Sequence, residues 1–138
     1  MALPKMIVDA DLELIKFYII LPLILTTFER DHKIIKDFDI LKTPDPYLEV
    51  IERAMDSVTK DLAVIRKGFK DRGIKVYDEH QMSNGVHAEY LCRGYHGKMH
   101  LQWGLIKAEV FVLMRKHLGL DVSKYKDNGD MRSNFGEK

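Results

Sequence analysis

The stretch Asp45-Pro-Tyr-Leu-Glu-Val-Ile-Glu-Arg-Ala-Met-Asp-Ser-Val-Thr-Lys-Asp-Leu-Ala-Val-Ile-Arg-Lys-Gly-Phe-Lys-Asp-Arg-Gly73 decides how the rest of the chain is read. Leu48, Ile51, Met55, Val58, Leu62, Ile65 and Phe69 recur at alternating steps of three and four, the repeat of a helix with one narrow apolar seam. Asp45 is a residue type that accepts hydrogen bonds from the first free N–H groups of a helix, and Pro46 suits its first turn. Gly73 tolerates the left-handed conformation that ends one. The spacing therefore predicts a helix over 45–72. A single helix cannot hide such a seam, so other helices of the chain or a second copy must cover it.

Upstream, the apolar spacing predicts a helix over 9–37 with a kink or break near Tyr18 to Pro22, because proline removes a backbone donor and clashes with the preceding turn. Phe38 to Pro44 reads as a connection, and Thr43-Pro-Asp-Pro46 favours extended or turn geometry. After Gly73 the rhythm shortens to two. Ile74, Val76 and Asp78 alternate with Lys75, Tyr77 and Glu79; Val86, Ala88, Tyr90 and Cys92 alternate with His87, Glu89, Leu91 and Arg93. Met82-Ser-Asn-Gly85 carries turn chemistry between them. This predicts a β-hairpin over 74–93, with a loop longer than the tightest two-residue type. Gly94 and Gly97 then bracket a hinge into a last helix over 98–118, apolar on most of its circumference and ended by Gly119. The fold class expected is mainly α: a helical bundle with a hairpin insertion. Residues 1–120 form one domain, and 121–138 a flexible polar tail.

The chain has 138 residues, 46% apolar and 31% charged, ordinary values for one soluble domain. A formal charge of +1 argues against a surface that is a polyanion-binding field throughout. A single cysteine, Cys92, excludes an intramolecular disulfide and fits a reducing, cytoplasmic setting. The apolar run Phe17 to Phe28 falls short of the roughly 20 residues that cross a bilayer, so it reads as a core helix and no membrane partner is expected. No basic start and cleavage pattern marks a signal peptide.

Chemistry-bearing patterns are sparse. His96 and His100 stand four apart, and His80, His87 and Cys92 lie on the neighbouring hairpin. No His-Glu-x-x-His or paired Cys-x-x-Cys motif reinforces a metal site, and a metal-dependent enzyme is the third reading. Cys92 shares the core side of its strand and reads as a small hydrophobe, not a nucleophile. No phosphate-cradling glycine loop occurs. No catalytic residue, metal ligand or cofactor is assigned. Lys60, Arg66, Lys67, Lys70, Arg72 and Lys75 form the best nucleic-acid surface, the second reading, although base at a helix end is also what the helix dipole favours. Glu49–Arg53 and Asp56–Lys60 have the spacing of ion pairs along the helix. The leading reading is a protein–protein interaction or regulatory module, not an enzyme, self-associating as a homo-oligomer. Its interface is expected at Ile51, Met55, Val58, Leu62, Ile65, Trp103 and Phe111.

Leu21-Pro-Leu-Ile-Leu-Thr-Thr-Phe-Glu-Arg-Asp31, Pro46-Tyr-Leu-Glu-Val-Ile-Glu-Arg-Ala-Met55, Lys60-Asp-Leu62 and Gly73-Ile-Lys-Val76 together resemble the small YhjD-type proteins of Bacillus-like bacteria, and a phage-encoded relative fits equally. The similarity spans about residues 10–95. It implies a small cytoplasmic, mostly helical protein and supplies no active-site residue to carry over.

Overall fold

Two long helices lie side by side and a three-stranded sheet and a third helix close over them. The computed structural model describes residues 6–125, so most of the expected tail lies outside the described residues. The order is α1 (Asp9–Asp37), α2 (Asp45–Arg72), β1 (Ile74–Met82), β2 (Gly85–Cys92), β3 (Tyr95–Gln102) and α3 (Trp103–His117). The architecture is mixed α/β. The sheet is an antiparallel meander in the order β1-β2-β3.

α2 has the bounds its spacing predicts, and Gly73 ends it in the left-handed conformation at φ 65°. Its start differs. Asp45 is already helical, Pro44 occupies the capping position, and no side chain caps the helix. Neither Glu49–Arg53 nor Asp56–Lys60 closes as an ion pair; the pair α2 makes along itself is Lys67–Asp71, at 2.8 Å. Val58, Leu62, Ile65 and Phe69 are buried, while Leu48, Ile51 and Met55 are partly covered. The cover comes from this chain. Asp11 meets Arg72 at one end of the α1–α2 pair and His32 meets Glu52 toward the other, which makes the two helices antiparallel.

α1 runs unbroken through Pro22. An interior proline costs about 3 kcal/mol, but Pro22 lies on the exposed side, and Ile15, Phe17, Ile19, Ile20, Leu21, Ile24 and Phe28 are buried on either side of it. Each such side chain contributes about 1.5–3 kcal/mol on burial. Packing on both flanks outweighs the local defect.

The hairpin is tighter than expected and is followed by another. Met82 pairs with Gly85 around a two-residue turn, Ser83-Asn84. A bulge at Tyr77 shifts the register between Val76 and Asp78, so Asp78 is opposite Glu89 and Glu79 is opposite Ala88. Arg93-Gly94 forms the second turn, with φ 48° and 91°. Two successive positive φ values define the hairpin turn whose twist matches the strands it joins. The segment expected to open the last helix, 98–102, is therefore the end of β3. Gly97 is no hinge. It is a strand position opposite Tyr90, and a Cβ there would come within 2.5 Å of the Tyr90 ring. α3 starts only at Trp103, whose backbone N–H donates to the Asn84 carbonyl at 3.2 Å and whose Nε1–H donates to the Met82 carbonyl at 3.0 Å.

Asp11 ties these parts together and is fully buried. Its carboxylate accepts from Arg72 Nε at 2.7 Å, from Arg93 at 2.7 and 3.2 Å, and from the Val8 backbone N–H at 2.9 Å. Arg93 also donates to the carbonyls of Arg72 at 2.6 Å and Met6 at 2.9 Å. Burial pushes the Asp11 carboxyl up, but the hydrogen bonds from Arg93, Arg72 and Val8 outweigh it and hold the group well below the usual carboxylate range. A carboxyl depressed in the folded state contributes stability above its unfolded value, roughly 3.9, and loses that contribution as pH falls below it. Asp11→Ala leaves two half-buried guanidinium groups short of their counter-charge and is expected to cost about 3–5 kcal/mol. Urea unfolding at pH 7 measures the loss, and the gap between variant and wild type should shrink as both are taken below pH 4.

Candidate functional site

The solvent side of α3 carries an exposed apolar patch. Ile106, Val112 and Leu113 point into the core, and Leu105, Ala108 and Phe111 point away from it. Phe111 is 65% exposed. Beside it a groove of about 580 Å³ runs between α1 and α3, lined chiefly by Leu23, Trp103, Ile106, Val110 and Phe111, with Thr26, Gln81 and Lys107 among its polar members. Thr26 and Thr27 also line it, and their hydroxyls donate to the carbonyls of Pro22 and Leu23 at 3.0 and 2.9 Å.

Polar contacts seat α3 on the helix pair. Lys16 of α1 meets Glu109 at 3.2 Å, and the carboxylate is almost fully buried. Ser57 Oγ lies 2.8 Å from His117 Nδ1, and His117 Nε2 lies 3.5 Å from Asp61 Oδ2. Serine, histidine and aspartate in a row invite a nucleophilic reading, and the geometry denies it. Ser57 is an interior residue of α2, where the neighbouring N–H groups serve the helix and leave no oxyanion donors. Burial pushes the Asp61 carboxyl up to about 6, an effect that Lys116 partly offsets. Burial, with Lys116, pulls the His117 imidazole down to about 4. Both shifts favour uncharged groups, the signature of a dry junction between helices.

Of the residues expected at an interface, Val58, Leu62 and Ile65 are enclosed within the chain. Ile51, Met55 and Trp103 are partly buried against the same core. α2 therefore needs no second copy to cover Val58, Leu62 and Ile65. Trp103 and Phe111 are brought together at the groove. Among the basic residues, Arg72 is committed to Asp11 and Lys67 to Asp71, while Lys60, Arg66, Lys70 and Lys75 remain on the surface. His96 and His100 are on a strand, not a helix; His96 Nδ1 lies 3.2 Å from the Tyr77 hydroxyl. Cys92 faces the core, opposite to the histidines, and burial pushes its thiol up, away from nucleophilic use. Asp11 and Asp61 escaped the reading of the sequence, because a lone aspartate in an amphipathic helix looks like any solvated one.

Two antiparallel helices carrying a β-meander and a capping helix define a small mixed α/β protein. The YhjD protein family matches residues 6–122, and the chain belongs to it. No curated protein and no solved structure matches. No helix among the described residues is long and apolar enough to cross a membrane.

The Asp61–His117 junction has a pH signature. From about pH 4 to 6 folded Asp61 keeps a proton the unfolded chain has lost, so this group alone lowers stability as pH rises. His117 acts oppositely: from about pH 4 to 6.5 the unfolded imidazole binds a proton that the folded one refuses. The two slopes largely cancel. Asp61→Asn removes the first alone, so the variant's stability should climb between pH 4 and 6.5. Above pH 6 it should exceed wild type by up to about 3 kcal/mol. Urea titrations across that range check both the slope and the sign.

Proposed function

We propose that the protein acts by binding rather than turnover, as a self-associating interaction module of the cytoplasm. Its docking surface is the outer side of α3 with the adjoining α1–α3 groove, and its occupant is the same surface of a second copy. The observation that carries this is the pairing of a projecting Phe111 with an apolar hollow on one patch. A two-fold contact requires a patch complementary to itself, and a knob beside a hole meets that requirement. Phe111 of each copy would enter the partner's hollow against Leu23, Trp103, Ile106 and Val110, while Lys107 stays at the wet rim. Gly104 adds to the fit: a Cβ there would meet nothing within 4 Å, so another backbone can come close. Buried aromatic anchors of this kind hold most of the free energy of an interface.

A nucleic-acid role has thinner support. With Arg72 and Lys67 engaged by carboxylates, the remaining cations of α2 share their surface with Asp56 and Asp71. Each surviving phosphate contact would have to work beside a like-charged acid.

Sedimentation velocity over about 1–200 μM tests the proposal. A concentration-dependent dimer is expected, and Phe111→Asp should weaken it at least thirtyfold, about 2 kcal/mol or more, as for an interface anchor. The variant should keep its circular dichroism spectrum, since the ring is 65% exposed. A wild-type chain that stays monomeric at the top concentration overturns the reading.

A further inference from the structure

The outer face of the sheet, remote in kind from the apolar side of α3, presents one histidine from each strand in a single cross-strand row. His80 of β1 is the register partner of His87 of β2, and His87 is the register partner of His100 of β3. The row exists because of two local events. The bulge at Tyr77 flips the alternation of β1 and turns His80 outward, and the Arg93-Gly94 turn brings His100 back beside His87. The His80 and His87 ring centres are 5.3 Å apart, and those of His87 and His100 are 6.3 Å apart. Asp78 and Glu89 lie in the next row. Their carboxylates stand 3.7 Å from His80 Nδ1 and 3.4 Å from His87 Nε2.

We propose that His80, His87 and His100 form a site for a borderline divalent transition-metal ion, of the Zn²⁺ or Ni²⁺ type, on the open face of the sheet. Imidazole nitrogens bind such ions at about 2.0–2.1 Å, which sets the ring centres of two ligands on one tetrahedral ion about 5 Å apart. The first pair already has that separation and the second needs about 1 Å of closure, while His80 and His100, on strands about 10 Å apart, must both lean over His87 to meet on one ion. In their present rotamers no three ligating groups of the described residues converge. The His80 side chain is 52% exposed, however, and exposed side chains change rotamer in picoseconds to nanoseconds, so the ion itself can gather the rings. His87 is the central ligand because it neighbours both others. Asp78 beside His80 Nδ1 and Glu89 beside His87 Nε2 are placed to accept from the nitrogen the ion does not take, which leaves His80 Nε2 and His87 Nδ1 for the metal. Three ligands leave a position for water and make the site moderate in affinity. Bound metal would tie all three strands and so stabilise the sheet by mass action.

Isothermal titration of metal-free full-length protein with ZnCl₂, repeated with NiCl₂, tests this, with the thermal unfolding midpoint as a second readout. One ion per chain with micromolar affinity is expected, together with a rise in midpoint. His87→Ala should weaken binding at least tenfold and abolish that rise, and His100→Ala should weaken it in the same direction. His96→Ala, on the same face of β3 but outside the row, should change affinity by less than twofold. Absence of binding at 1 mM metal overturns the proposal. So does equal loss from His96→Ala and His87→Ala, which would mean that any surface histidine suffices. Retention of wild-type affinity in His87→Ala overturns it as well.

Discussion

The carboxylate of Asp11 is the constraint on which the rest of the fold hangs. It stands at the third position of α1, accepts the backbone N–H that precedes that helix, and receives guanidinium groups from the end of α2 and from the β2–β3 turn. Three segments far apart in sequence are thereby fixed at one point. The arrangement also explains how a non-glycine residue is held at positive φ. Arg93 is the only one among the described residues. The conformation is unfavourable for a side chain with a Cβ, but it directs the guanidinium onto Asp11 and the carbonyls of Arg72 and Met6. Charge-assisted hydrogen bonds to a buried acceptor are strong enough to offset that strain. The turn that Arg93 makes is what turns a hairpin into a meander.

This dependence accounts for what could be read from sequence and what could not. α2 was legible to the residue at its C-terminus because seam and stop signal are both local: Val58, Leu62 and Ile65 repeat at helical spacing and Gly73 follows. β2 was equally plain, since Val86, Ala88, Tyr90 and Cys92 alternate without a fault. β3 was not. Arg93-Gly94 lacks the Asn-Gly or Asp-Gly signature of its turn, and Tyr95-His-Gly-Lys-Met-His is a weak strand former with a glycine in its interior. What makes it a strand is tertiary: the Tyr90 ring lies against Gly97 and Asp11 secures the turn. The bulge at Tyr77 is likewise invisible, and it decides which way His80 faces. At Pro22 the local signal is strong in the opposite direction, and packing on both sides keeps the helix continuous where a break was expected. At the candidate site, Trp103 and Phe111 stood out as large aromatics on a crowded helix. Their meeting at a groove needed α1 in place.

Ionisable groups at the α3 junction specify position more than they add stability. Lys16–Glu109 and the Ser57–His117–Asp61 set both join α3 to the helix pair. Buried ionisable groups lose hydration that their partners only partly restore, so apolar replacements can be as stable. What they supply is a single acceptable seat: sliding α3 by one turn would leave Glu109 and Asp61 without their partners in a dry interior. A helix so apolar has many ways to pack, and the polar contacts exclude most of them.

That fixed seat is what leaves one side of α3 uncovered. α2 spends its seam on α1 and α3, so the need for cover that its periodicity announces is met inside the chain. α3 has a different problem, because apolar residues surround most of its circumference and the core can take only part of it. Ile106, Val112 and Leu113 go in; Leu105, Ala108 and Phe111 stay out. With α3 held by buried charges, rotation cannot hide Phe111 without exposing Glu109, and burying an exposed aromatic is worth more than any of its small neighbours can contribute. Nothing among the described residues covers that side, so the self-association proposed above would place its contact on α3 rather than on the long helix where the sequence pattern is loudest.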